Sequence, residues 1–234
     1  MIANIAATVP PPPVPPSCFY PRTNETFFAM TIARELVQVA PTLFFWQNYD
    51  PAVKADLFST ALATPNGSLL VDPIPLHDSQ LRPLSQHRSI AGIVVTNANH
   101  QRAAICYSDQ FFAPIFAQRD SFPDRKPSRF VEIGSGTKIC DELEVIAIEG
   151  AVAGEIALYQ PANGGTLITG DALINFDPYG FTFLPRKYCA NEKEMRRSLR
   201  KLLLYQTERM LFAHGTPILA GASARLQQLL DADL

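Results

Sequence analysis

The residues best suited to chemistry fall in a few short stretches. Thr96-Asn97-Ala98-Asn99-His100-Gln101-Arg102 gathers amides, an imidazole and a guanidinium into one loop. Asp171 follows Gly170 at the end of an apolar run, His214 precedes Gly215 after another, and Asp72 closes a third just before Pro73. Imidazole and carboxylate move protons near neutral pH, which makes His100, Asp171 and His214 candidate catalytic residues. The same side-chain types also bind metal ions. Asp72, Asn97, Asn99, Arg102 and Tyr179 carry groups able to hydrogen-bond a polar substrate.

Plainer roles stand beside these. His100 could be an exposed histidine at a helix start, Asn99 an N-cap for that helix, and Asp72 a turn residue. His77 and His87 flank Asp78 to Gln86 without ligand spacing and read as surface residues. The Gly-Ser-Gly-Thr at 134–137 lies between strands with no helix after it, which makes it a turn and not a phosphate loop. Cys18, Cys106, Cys140 and Cys189 are far apart and form no CxxC pair, so reduced, mostly buried thiols are expected.

Strands and turns must bring these stretches into place. Residues 1–24 are Pro-rich and read as an extended arm, because proline supplies no backbone donor. From residue 35 the runs LVQVA, LFFWQ, LFSTALAT and SLLVD read as strands, with Asn66-Gly67 as a hairpin turn. AGIVVTN is nearly all apolar, as in a strand buried on both faces, and HQRAAICYSDQF can form the helix after it. PIFAQ, RFVEI, LEVIAIEG, EIALYQ and TLITG add five strands. Met195, Leu199, Leu202 and Leu203 recur at helical spacing, leaving Arg196, Arg197, Arg200 and Lys201 as a solvated basic face. RMLFAHG is a last strand and ARLQQLLDADL a last helix. Two sheet-rich halves with helices suggest a four-layer sandwich.

The chain has 234 residues, 47% hydrophobic and 18% charged, with a net charge of −2. That composition supports a folded core and gives no general attraction to nucleic acid or anionic lipid. No apolar run is long enough to span a bilayer, and the opening residues lack the basic region of a secretory signal. A soluble, cytoplasmic protein is expected, with oligomerisation left open.

Several segments, taken in order, resemble the metallo-β-lactamase superfamily. SLLVDPIP resembles its early strand ending in Asp-Pro, and VVTNANHQRAA its THxHxDH strand and loop. EGAVAGEIALY resembles the PGHTPGxxxL segment, while TLITGDAL and LFAHGTPIL resemble the bridging-aspartate strand and the last histidine loop. The resemblance implies an αββα sandwich of two mixed β-sheets with outer helices, occupying residues 25–234 as one domain. It places Asn97, Asn99, Gln101, Arg102 and Ala151 where the family has metal ligands, and only Asp171 and His214 keep ligand types.

Two ligands are too few for zinc, which takes three or four protein donors. The resemblance therefore implies no dinuclear site and negligible β-lactamase, thioesterase or glyoxalase-type hydrolysis. It also places Arg102 to stand in for the missing cation beside Asp171. No cofactor is expected, the alternative being a single metal ion at Asp171, His214 and neighbouring amides. The leading functional expectation is a non-hydrolytic domain that binds a small molecule or protein in the old cleft. A second is a hydrolase of altered chemistry, using one metal or metal-free acid–base groups. A third is an interaction subunit recruited through the Pro-rich arm. The segment from Phe176 to Tyr188, with Phe181 and Phe183, is the candidate pocket wall.

Overall fold

The structure, a computed structural model, describes residues 32–86 and 89–232. The Pro-rich arm, Cys18 and His87 lie outside the described residues. A seven-stranded sheet runs in chain order: β1 (Val37–Ala40), β2 (Leu43–Asp50), β3 (Ala55–Thr64), β4 (Gly67–Val71), β5 (Ile90–Val94), β6 (Ile115–Ala117) and β7 (Phe130–Glu132). The first four strands are antiparallel, and β4 through β7 are parallel. The three parallel steps need crossovers: α1 (Asp78–Gln86) and α2 (Ala104–Phe111) supply the first two, and residues 118–129, with a 3-10 turn at Arg119–Ser121, the third.

A five-stranded sheet has the order β14 (Arg209–Phe212), β11 (Thr166–Thr169), β10 (Ile156–Gln160), β9 (Leu143–Ala147) and β8 (Lys138–Ile139). The hairpin of β12 (Leu173–Phe176) and β13 (Gly180–Phe183) stands apart from both sheets. Helices α3 (Glu192–Leu199) and α4 (Ala222–Asp231) belong to this half.

Alternation along the strands explains the layering. In β4, Leu69 and Val71 enter the apolar cluster between the sheets, while Leu70 faces α1 and α2. In β14, Leu211 faces the other sheet, while Met210 and Phe212 face α3 and α4. A two-residue period thus buries both faces of the central strands, which is why they read as unbroken apolar runs. Three clusters between four layers make the αββα sandwich. Each fully buried large aliphatic side chain contributes about 1.5–3 kcal/mol.

Several sequence expectations change. The stretch Asp78–Gln86 is a helix despite Pro83, and the segment after Asp171 is a hairpin. The helix of residues 192–199 tightens into a 3-10 turn at Arg200–Leu204. Arg196 is not on a solvated face: it pairs with Glu192 at 2.6 Å and lies over the Phe183 ring. Cys106, Cys140 and Cys189 form no disulfide and are partly rather than fully buried.

The end of β4 leads into the site through Asp72, whose φ of 47° is strained for a residue with a side chain. Ser59 of β3 holds this bend: its hydroxyl donates to the Asp72 carbonyl at 2.7 Å and accepts from the Ile74 amide at 2.8 Å. Ser59→Ala strands the buried Ile74 amide, so urea unfolding should show a loss of about 2 kcal/mol. A change within experimental error would mean that the bend is held by its other contacts.

Candidate active site

The chemistry-bearing residues converge where strand ends of both sheets meet. Thr96, just past β5, joins the sheets by accepting the Ile156 amide on its carbonyl at 2.9 Å. Asp72 is buried there, accepting from the Thr96 amide at 2.8 Å and the Thr96 hydroxyl at 2.5 Å.

The next residues form a 3-10 turn, Ala98–His100, capped by Asn97, whose side-chain oxygen accepts from the Asn99 amide at 2.9 Å. The cap is therefore Asn97 and not Asn99. This tight turn swings the His100 ring inward, to 1% exposure. Its Nδ1 lies 3.0 Å from Asp72 Oδ2 and 2.9 Å from the Thr96 hydroxyl, and its Nε2 lies 3.1 Å from Asp171 Oδ1. The exposed or helix-start reading of His100 fails because the ring is buried between the Asp72 and Asp171 carboxylates.

Asp171 comes from the loop after β11 and His214 from the loop after β14, neighbouring parallel strands. His214 Nε2 lies 3.3 Å from Asp171 Oδ1 and 3.4 Å from His100 Nε2. The other oxygen, Asp171 Oδ2, accepts from the Asn97 amide at 3.2 Å and the Asn99 amide at 3.1 Å. Asn97, Asn99, His100, Asp171 and His214 thus form one cluster, with Asp72 joined through His100.

Glu155 and Thr96 belong to the same network and were not among the sequence candidates. Glu155 is buried, its carboxyl accepting from Asn97 at 2.7 Å and from the Ala172 amide at 2.9 Å. The available signal was a lone acid opening the apolar run of β10. Gly170 leaves room for it, since a Cβ there would sit 2.7 Å from both the Glu155 carboxyl and the Thr96 hydroxyl.

Charge is balanced inside the cluster. Burial disfavours a charged His100, but Asp171 and Asp72 outweigh it and raise its pKa to about 9. Burial would raise the pKa of Asp171, yet His100 and then His214 hold it well below the usual carboxylate range. Burial, reinforced by the Asp171 charge, pushes Glu155 up to about 8, so it carries a proton at neutral pH. Burial lowers the pKa of His214, which is the neutral imidazole of the pair.

Arg102 does not pair with Asp171. Its guanidinium donates to the carbonyls of Phe58 at 2.6 Å, Asp72 at 2.9 Å and Ala213 at 3.3 Å. The position opposite Asp171 is taken by His100, and Arg102, at φ 37°, is turned to the strand ends. Tyr179 sits at the exposed tip of the β12–β13 hairpin against Phe176. The Asn175 amide of that hairpin donates to the His214 carbonyl at 3.1 Å, and its side chain donates to the Thr216 carbonyl. Phe181 and Phe183 do not wall a pocket, because they pack with Phe212 and the α3 and α4 side of the core. His77 is exposed, as expected.

The donor set fits one metal ion. Three ligands on a tetrahedral zinc with bonds near 2.0–2.1 Å stand roughly 3.3–3.4 Å apart. His100 Nε2, Asp171 Oδ1 and His214 Nε2 are separated by 3.1, 3.3 and 3.4 Å. Two imidazoles and a carboxylate are a known catalytic zinc set, in which the fourth position is taken by water or substrate. The sequence count of two ligands becomes three because His100, between the motif's ligand positions, turns inward.

Two outcomes follow from this network. Arg102→Ala should destabilise the fold by about 3 kcal/mol in urea unfolding, and Arg102→Lys should recover only part, since one ammonium cannot replace a fork spanning three carbonyls. Full recovery by lysine would contradict the three-carbonyl role. The second outcome concerns chelator-treated protein. Because the folded pKa of His100 exceeds 6.5, its stabilisation is complete below pH 6.5 and is lost as pH rises through about 9, a fall of about 3 kcal/mol. Glu155 adds a loss in the same direction between about 4.5 and 8. His100→Gln should flatten the profile above pH 6.5, and parallel profiles would refute the charge assignment.

A sequence profile described as the metallo-beta-lactamase superfamily matches residues 37–233. No curated protein matches the sequence. Among solved structures, the DIM-1 metallo-beta-lactamase is similar at TM-score 0.68 and 16% identity, over 87% of this chain and 99% of that one. The metallo-beta-lactamase of Pontibacter korlensis gives 0.66 and 13%, over 84% and 98%. FIM-1 from Pseudomonas aeruginosa, in its mono-zinc form, gives 0.65 and 14%, over 87% and 96%. Identities this low establish shared fold alone, while the profile spans nearly every strand and helix described above. The chain belongs to the metallo-β-lactamase superfamily.

Proposed function

We propose that the chain is a hydrolase of altered chemistry, acting at the cleft where His100, Asp171 and His214 meet. The observation that carries this reading is the triangle of donor atoms, 3.1 to 3.4 Å on a side, with Asp72 fixing the far side of the His100 ring. The non-hydrolytic expectation rested on a ligand count of two, and the inward turn of His100 removes that premise. A divalent cation bound there would acidify a water toward attack on an acyl carbon. The chain's part is to orient His100 through Asp72, fix Asp171 through the Asn97 and Asn99 amides, and present His214, whose side chain is 19% exposed, toward the incoming substrate. FIM-1, which shares the fold, is described in a mono-zinc form, which favours a one-metal variant of this architecture.

A second reading, a binding domain without turnover, has its own support. The His100 imidazolium already pairs with Asp72 and Asp171 within hydrogen-bond distance, and the nearby Arg102 guanidinium supplies the second positive charge, so the two carboxylates are balanced without an ion. Tyr179 at the hairpin tip is the substrate-contacting group under either reading, the ligand being a small molecule at the cleft. A cytoplasmic location fits the same picture; no helix among the described residues is long and apolar enough to cross a membrane.

Hydrolysis of ester, thioester and lactam probes, measured with and without added zinc, separates the readings. The hydrolase reading expects turnover that falls at least about 100-fold in His214→Ala and in Asp171→Asn while circular dichroism stays native. Turnover unchanged in both variants, or absent from the whole panel with metal bound, would overturn it.

A further inference from the structure

The two oxygens of Asp171 face different surroundings, and the difference fixes how many cations the cleft can take. Oδ1 faces the two histidine nitrogens, with separations of 3.1 and 3.3 Å. Oδ2 accepts two amide hydrogens, from Asn97 and Asn99. The orientation of Asn97 is settled by its own oxygen, which accepts the Asn99 backbone amide at 2.9 Å. A carboxylate offers about two lone-pair positions per oxygen, so two donors use those of Oδ2. A bridging aspartate would have to offer that oxygen to a second ion.

The remaining space of that second position is filled as well. The Asn97 amide nitrogen that reaches Asp171 also donates to Glu155 at 2.7 Å, and Ala151 is buried with no donor to offer. A second cation would meet amide N–H groups and a carboxyl already engaged by Asn97 and Ala172.

We infer that the chain binds one divalent cation through His100 Nε2, Asp171 Oδ1 and His214 Nε2, and that Asn97, Asn99 and Glu155 close the second metal position. Asp72 acts as the orienting carboxylate of the site. Its oxygen holds His100 Nδ1 at 3.0 Å, which points Nε2 at the ion, as carboxylates behind metal-bound histidines do. Thr96 fixes Asp72 in turn through two hydrogen bonds. The inference deepens the proposed function, and it concerns occupancy rather than turnover.

The test is titration of the full, chelator-treated chain with Zn2+ by calorimetry, with elemental analysis after dialysis, and the absorption spectrum of the Co2+ form. The expected result is one ion per chain, with Co2+ bands of low coordination number. His214→Ala and His100→Gln should lose tight binding, and Asp72→Asn should keep a stoichiometry of one with affinity reduced about 10–100-fold. The Co2+ spectrum of Asp72→Asn should shift while circular dichroism stays native. Zero or two ions in the wild-type chain, or full affinity in His100→Gln, would overturn the inference. One bound ion with no turnover upholds it and removes the hydrolase reading. Turnover by a chain that binds no ion does the reverse.

Discussion

An imidazole held between two buried carboxylates governs the organisation of this site. Asp72 arrives from the first sheet and Asp171 from the second, and either carboxylate left charged and unpaired at that depth would cost several kcal/mol. His100 meets both, one ring nitrogen to each. The two sheets must therefore present their strand ends at a spacing set by the width of one ring. The strained bend at Asp72, the Asn97-capped turn and the absence of a side chain at Gly170 all serve that spacing.

The same arrangement explains what the amino-acid sequence made legible. Strands buried on both faces are continuous apolar runs, so most of the two sheets could be read directly. The helix Asp78–Gln86 could not, because its polar residues and Pro83 argue against helix locally, and packing of Leu81 and Leu84 decides in its favour. The hairpin at Leu173–Phe183 hid behind Asp-Pro-Tyr-Gly, which reads as loop.

Within the site, Asp171 and His214 were legible because each sits at the end of an apolar strand beside glycine, in segments that resemble the family's bridging-aspartate strand and last histidine loop. His100 stood among the catalytic candidates but not among the ligands, because the family pattern puts ligands at the Asn97, Asn99, Gln101 and Arg102 positions; in the 3-10 turn Asn97 and Asn99 still face Asp171, and the His100 ring joins them. Gln101 ends on the Ser121 carbonyl instead, at 2.7 Å. Glu155 escaped notice because an acid at the start of a strand ordinarily faces water. Only the tertiary fold shows that β10 begins under Asn97 and Ala172, where that carboxyl is buried and held protonated.

Arg102 has a consequence beyond holding three strand ends. Its partners are main-chain carbonyls, of Phe58 and Asp72 in one half and Ala213 in the other. A fastening made to backbone does not care which side chains the fastened residues carry. Phe58 and Ala213 are thus free to change in descendants of this chain without loosening the clasp, whereas the arginine itself is not. Over evolutionary time the side chains at these two positions can be exchanged while the distance between the strand ends is kept.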